Sequence, residues 1–110
     1  MSDVPKELQE KINRLSMMEQ SLQQFLQKKQ TFQSQLVEIE SALGELEKTE
    51  KAYRIVGNVM VSADKKELTT DLTSKKETIN LRIKTLEKQE DKLRKETSDL
   101  QSEVMKAMAE

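Results

Sequence analysis

Two long stretches of this chain carry a coiled-coil stripe. From Leu22 the positions Leu22, Phe25, Lys29, Phe32, Leu36, Ile39, Leu43, Leu46, Glu50 and Tyr53 follow one another in alternating steps of three and four. That spacing lines one face of a helix for a partner helix. Leu8, Ile12, Leu15 and Met18 continue the stripe upstream with one shift in phase. Ser2 or Asp3 can cap this helix, and Pro5 is tolerated in its first turn, where a missing N–H costs nothing. The pattern predicts a first arm over about residues 5–53. The second stripe reads Leu68, Leu72, Lys75, Ile79, Ile83, Leu86, Glu90, Leu93, Thr97, Leu100, Val104 and Ala107. Asp64 followed by Glu67 has the form of a capping box that starts this arm, predicted over 64–109.

Between the arms lies a run of different character, Tyr53-Arg54-Ile55-Val56-Gly57-Asn58-Val59-Met60-Val61. It is β-branched, poor in charge and centred on a Gly. Gly supplies the positive φ that a type II′ turn needs at its first central position, so residues 53–63 are predicted to form a β-hairpin turning at Gly57-Asn58.

A short turn between long helices folds them antiparallel. One register then sets Leu36 opposite Ile83, Ile39 opposite Ile79, Leu46 opposite Leu72 and Phe32 opposite Leu86. The same register sets Lys29 opposite Glu90, the charged interruptions in the middle of the two stripes. Polar residues at such positions specify register at some cost in stability, and this is the role expected of the pair. Glu7 with Lys11, Glu47 with Lys51, Glu90 with Arg94 and Asp91 with Lys95 are spaced for surface pairs along each helix. Arms of about 45 residues would each extend on the order of 65 Å.

The hairpin changes the picture from spacer to assembly device. Ile55 pairs with Met60 on one face, and Val56 with Val59 and Arg54 with Val61 on the other, so both faces are mostly apolar. A lone two-stranded hairpin is marginal in water and has open edges. Leaving Ile55, Val56, Val59, Met60 and Val61 wet forgoes on the order of 10 kcal/mol, as much as a small domain's whole stability. Folding back over the end of its own coiled coil would cover one face only. The expectation is intermolecular sheet formation, with hairpins from several chains joining in a larger β structure from which the arms project.

Composition narrows the function classes. The chain of 110 residues is 35% hydrophobic, 35% charged and 3% aromatic, with two Gly and one Pro. That is thin material for a compact core and good material for one domain of long helices. Net charge is −1, which calls for neither nucleic acid nor an anionic membrane. Residues 82–95 hold six basic and three acidic side chains, but no aromatic interleaves them, and a solvated face is expected. Without Cys or His, thiolate sites and most acid–base designs fall away, and no P-loop, nucleophile elbow, HExxH or calcium loop occurs. No catalytic residue, metal or cofactor is expected. No apolar run approaches the roughly 18 residues that span a bilayer, and a soluble, cytoplasmic protein is expected.

The order helix, Tyr53-Arg54-Ile55-Val56-Gly57-Asn58-Val59-Met60-Val61, Asp64-Lys65-Lys66-Glu67-Leu68, helix resembles the β-type subunits of archaeal prefoldin, also called GimC. The resemblance covers essentially the whole chain, and its most specific part is the hairpin. A single hairpin is similar to the β type, since α-type subunits carry two. The resemblance implies a hexamer of two α-type and four β-type subunits, with six coiled coils hanging from β-barrels. It also implies that unfolded proteins are held without ATP and passed to a group II chaperonin.

The chain ends supply candidate client contacts. Val4, Leu8 and Ile12 in one arm and Val104, Met105 and Met108 in the other come together at the arm tips. Helix ends open at little cost, and Met adapts to irregular partners. Leu8, Ile12, Leu100 and Val104 also suffice to finish the coiled-coil core, which leaves Val4, Met105 and Met108 as the client-facing set. Met17 and Met18 read as core packing. A passive coiled-coil scaffold is the alternative function, and it accounts for the arms but not for the hairpin or the apolar tips.

Overall fold

The computed structural model describes residues 4–110, so the expected cap at Ser2 or Asp3 lies outside the described residues. Two helices, α1 (Lys6–Glu47) and α2 (Lys65–Ala109), flank two strands, β1 (Ala52–Val56) and β2 (Val59–Ala63). The chain is mainly α with a small β element, as its periodicities predict.

The strands pair antiparallel in the expected register, Arg54 with Val61, Ile55 with Met60 and Val56 with Val59. Gly57 has φ +61°, while no other residue takes a positive φ among those described. An L side chain there would meet its own backbone, so Gly at this position permits the two-residue turn.

The first helix stops at Glu47, short of the predicted end near Tyr53. Its last turn tightens, with Lys48 N–H donating to the Glu45 carbonyl at 3.1 Å. Thr49 Oγ1 then accepts from Lys51 N–H at 3.3 Å, a local alternative that competes with helix. The ladder also extends one pair below the apolar run, to Ala52 opposite Ala63. Glu50 and Tyr53 therefore leave the stripe, Tyr53 pairs with Ser62 in the hairpin, and Glu47 and Lys51 do not form a pair along one helix.

The second helix starts where expected. Asp64 Oδ1 accepts from Lys66 N–H at 3.2 Å, and the Asp64 carbonyl accepts from Leu68 N–H at 2.9 Å. Asp64 is the cap, satisfying an amide that has no partner inside the helix.

Two compact units make up the chain. One combines the residues up to Lys29 with Thr85–Glu110, and the other is Gln30–Lys84. In the second unit Ile39, Ile79 and Ile83 form a buried cluster with Phe32, Leu36, Leu43 and Leu72 packed against it. Leu46 is buried as well. Glu40 reaches Lys76 at 3.6 Å beside this cluster, so the helices run antiparallel here. In the other unit Met18, Leu100 and Val104 are buried, and Lys11 meets Glu103 at 3.5 Å. Lys11 thus crosses to the other helix, where its spacing from Glu7 suggested a pair along α1.

Two further stripe positions depart from the pattern. Lys75 is exposed, because two successive steps of four, to Ile79 and Ile83, swing the stripe past it and its long stem carries the ammonium to water. Ala107 is exposed too, so the buried stripe of α2 ends at Val104.

Candidate functional site

Three features can carry function: the hairpin, the charged break in the stripe and the apolar residues near the chain ends. Strand alternation and the observed register divide the hairpin into two faces. Tyr53, Ile55, Met60 and Ser62 share one face, and Ala52, Arg54, Val56, Val59, Val61 and Ala63 share the other. Only the base of the second face is covered, since Ala52 is buried. Ile55 is 70% exposed and Met60 65%, and Tyr53, Val56, Val59 and Val61 are exposed with them. The hairpin does not fold its apolar residues onto its own helices.

Arg54 explains how the hairpin is held at its base. Its Nη2 donates to Asp71 Oδ2 on α2 at 2.8 Å. This contact is absent from the sequence reading. The available signal was a lone cation among apolar strand residues, on the same face as the small Ala52.

The break in the stripe comes together as expected. Lys29 Nζ lies 3.5 Å from Glu90 Oε1, with the two side chains 20% and 9% exposed. Arg94 Nε approaches the same oxygen at 3.7 Å, while Glu90 Oε2 is buried without a hydrogen-bond partner. Both ion contacts are long for charge-assisted hydrogen bonds. Thr97, two positions further along the stripe, is satisfied locally, its hydroxyl donating to the Leu93 carbonyl at 2.7 Å.

Near the chain ends the named residues separate. Val104 is buried, and Leu8 and Ile12 are half-buried, so these three pack in the core. Val4, Met105 and Met108 are exposed, Met105 by 71%. Met18 is buried, but its neighbour Met17 is 68% exposed, contrary to the reading of both as core. Stripe residues recur at alternating steps of three and four, and Met17 falls outside that series. Val37 and Leu81 are further exposed apolar residues that stripe reasoning passes over.

Among the described residues no group of His, Cys, Asp and Glu is placed to hold a metal, and no helix is long and apolar enough to cross a membrane.

Residues 9–110 match the family model described as Prefoldin subunit. The chain belongs to the prefoldin family. A prefoldin subunit beta from Archaeoglobus fulgidus is 33% identical, with 99% of this chain and 97% of that protein covered. One from Thermococcus onnurineus is 34% identical over 98% and 96%. The crystal structure of the prefoldin beta subunit from Thermococcus strain KS-1 superposes with a TM-score of 0.85 at 32% identity, covering 97% of this chain and 96% of that one. Prefoldins are a chaperone family and not an enzyme family, and membership makes this chain a chaperone subunit.

Proposed function

We propose that this chain is the β-type subunit of a cytoplasmic, hetero-oligomeric prefoldin that holds unfolded proteins without ATP and passes them to a group II chaperonin. The observation that carries the reading is the exposure of apolar residues on both faces of the hairpin. Such a surface needs a partner, and neighbouring hairpins supply one by extending the sheet into a β-barrel. The partner is an α-type subunit, in a hexamer of two α-type and four β-type chains.

Client capture falls to the chain-end unit. Val4, Met105 and Met108 present apolar surface to water, and Leu8, Ile12 and Val104 join them when the helix ends open. Each contact is weak, and several arms on one assembly raise affinity through effective concentration. No nucleotide is needed, because holding requires only reversible burial of a client's apolar segments.

Light scattering of the chain alone and with an α-type partner tests assembly, and a discrete mixed hexamer is expected. Aggregation of an unrelated unfolded protein, followed by turbidity without nucleotide, tests holding. Removing residues 1–7 and 105–110 should abolish that protection while leaving the hexamer intact. Unchanged protection would remove the tips from the mechanism, and a monomer under both conditions would remove the assembly.

A further inference from the structure

In the Gln30–Lys84 unit an open groove of about 680 Å³ lies beside β1 and along α2. Leu68, Leu72 and Ile79 contribute apolar surface, and Arg54, Lys75 and Arg82 contribute cations. Asp71 also lines it but is engaged by Arg54 at 2.8 Å. Arg82 stands over the Phe32 ring at 5.9 Å. What remains is a cationic groove with apolar walls, on a chain whose net charge is −1.

The same unit carries a complementary feature. The last turn of α1, Gly44-Glu45-Leu46-Glu47, contains no basic residue although it stands at the negative pole of the helix, where cations are favoured. Glu50 follows after Lys48 and Thr49, with Lys51 beside it, so residues 45–51 hold three acidic and two basic side chains. Lys48 reaches Glu45 at 3.8 Å, but the two side chains are 75% and 77% exposed, and a pair so wet neutralises little. None of these acidic residues lines the groove of its own chain.

We propose that the acidic end of α1 in one copy of this chain, Glu45 and Glu47 with Glu50, docks in the Lys75–Arg82 groove of a second copy. The inference rests on the hairpin-driven assembly proposed above. Such a contact is head-to-tail, with different patches on the two partners, and forms wherever two copies of this chain are neighbours in the assembly. Apolar hairpin surface supplies the affinity, and the charge contact fixes which neighbour sits on which side.

The test is charge reversal read by light scattering of the mixed assembly over a range of salt concentrations. Lys75 is exposed, so Lys75→Glu should keep the helical circular dichroism while weakening assembly about tenfold, a change of about 1.4 kcal/mol. Glu45→Lys with Glu47→Lys should weaken it similarly. A chain carrying all three substitutions should recover in part, because the reversed end again meets a carboxylate at position 75 while Arg82 remains a cation. Since the chain has no Cys, Ser74→Cys and Glu50→Cys give unique thiols, and a short bismaleimide should link the two variants to one another within the assembly. Two results overturn the inference alone: reversals that leave the assembly unchanged, or a loss that the triple substitution does not restore even in part, which would assign the groove to the α-type partner. An unaltered chain that never assembles overturns the hairpin reading and this inference together.

Discussion

Ile83 in the stripe and Ile55 in the hairpin are the same residue in opposite circumstances. One is 9% exposed and the other 70%. The stripe finds its partner within the chain, because the fold-back brings a second helix against it. The hairpin has two strands and no third layer, so its apolar side chains stay exposed within this chain, which is what the proposed assembly would use. The contrast teaches that equal hydrophobicity is buried in one region and left available in the other, according to where the covering surface is encoded.

The sharpest way to break that comparison is to damage each region separately. Ile83→Ala removes buried carbons from the Ile39–Ile79 cluster and should lower the chain's own stability by about 2 kcal/mol, the low end for such truncations because a narrow two-helix core collapses readily. Urea unfolding followed by circular dichroism reads this directly. Ile55→Asp should change that unfolding curve by less than about 0.5 kcal/mol, as exposed substitutions do, yet eliminate mixed assembly in light scattering. Equal losses of intrinsic stability from the two variants would show that the hairpin is part of the folding core.

Next in size is the charged break. Lys29→Leu strands Glu90, whose Oε2 is already without a partner, leaving Arg94 at 3.7 Å as its remaining cation. The expected cost is about 2 kcal/mol, below the about 3–5 kcal/mol of a fully buried broken pair because Arg94 remains. Glu90→Leu should cost less, since Lys29 is 20% exposed and its ammonium can turn to water. The double variant should match or exceed the parent in stability while losing its single register, seen as heterogeneous distances between spin labels on α1 and α2. Additive single effects, with no coupling in the cycle, would mean that the two charges act independently despite their 3.5 Å approach.

How much of this was legible depends on the range of the interaction. The stripes, the II′ turn at Gly57 and the Asp64 cap are written in neighbouring residues, and the structure follows them closely. The meeting of Lys29 and Glu90 was legible because each interrupts an otherwise regular series. The end of α1 was not, because periodicity alone carried the stripe through Glu50 to Tyr53, whereas a side-chain turn at Thr49 and one more strand pair at Ala52 override it. Met17, Val37 and Leu81 escaped for a related reason: a stripe identifies what is buried and says nothing about apolar residues beside it. The exposed set at Val4, Met105 and Met108 was separable from buried Leu100 and Val104 by stripe phase alone.

The smaller effects sharpen the comparison at the joint between hairpin and helices. Asp64→Ala removes the cap of α2 and should cost about 1 kcal/mol, spread over the whole chain because it frays the start of a helix that feeds the core. Arg54 differs in kind. It joins the exposed hairpin to α2 through Asp71, with both side chains about half in water, 47% and 62% exposed. Its coupling with Asp71 should therefore be only about 0.2–1 kcal/mol in a double-mutant cycle. A stability assay averages this away, but hydrogen exchange does not. If the pair is what orients the hairpin, Arg54→Ala should speed exchange at the β1–β2 ladder and leave the Ile39–Ile79–Ile83 segment protected, since local opening is governed by local contacts. Equal acceleration in both segments would instead make the hairpin and the core one cooperative unit, and the division between a region that folds and a region that recruits would fail at this joint.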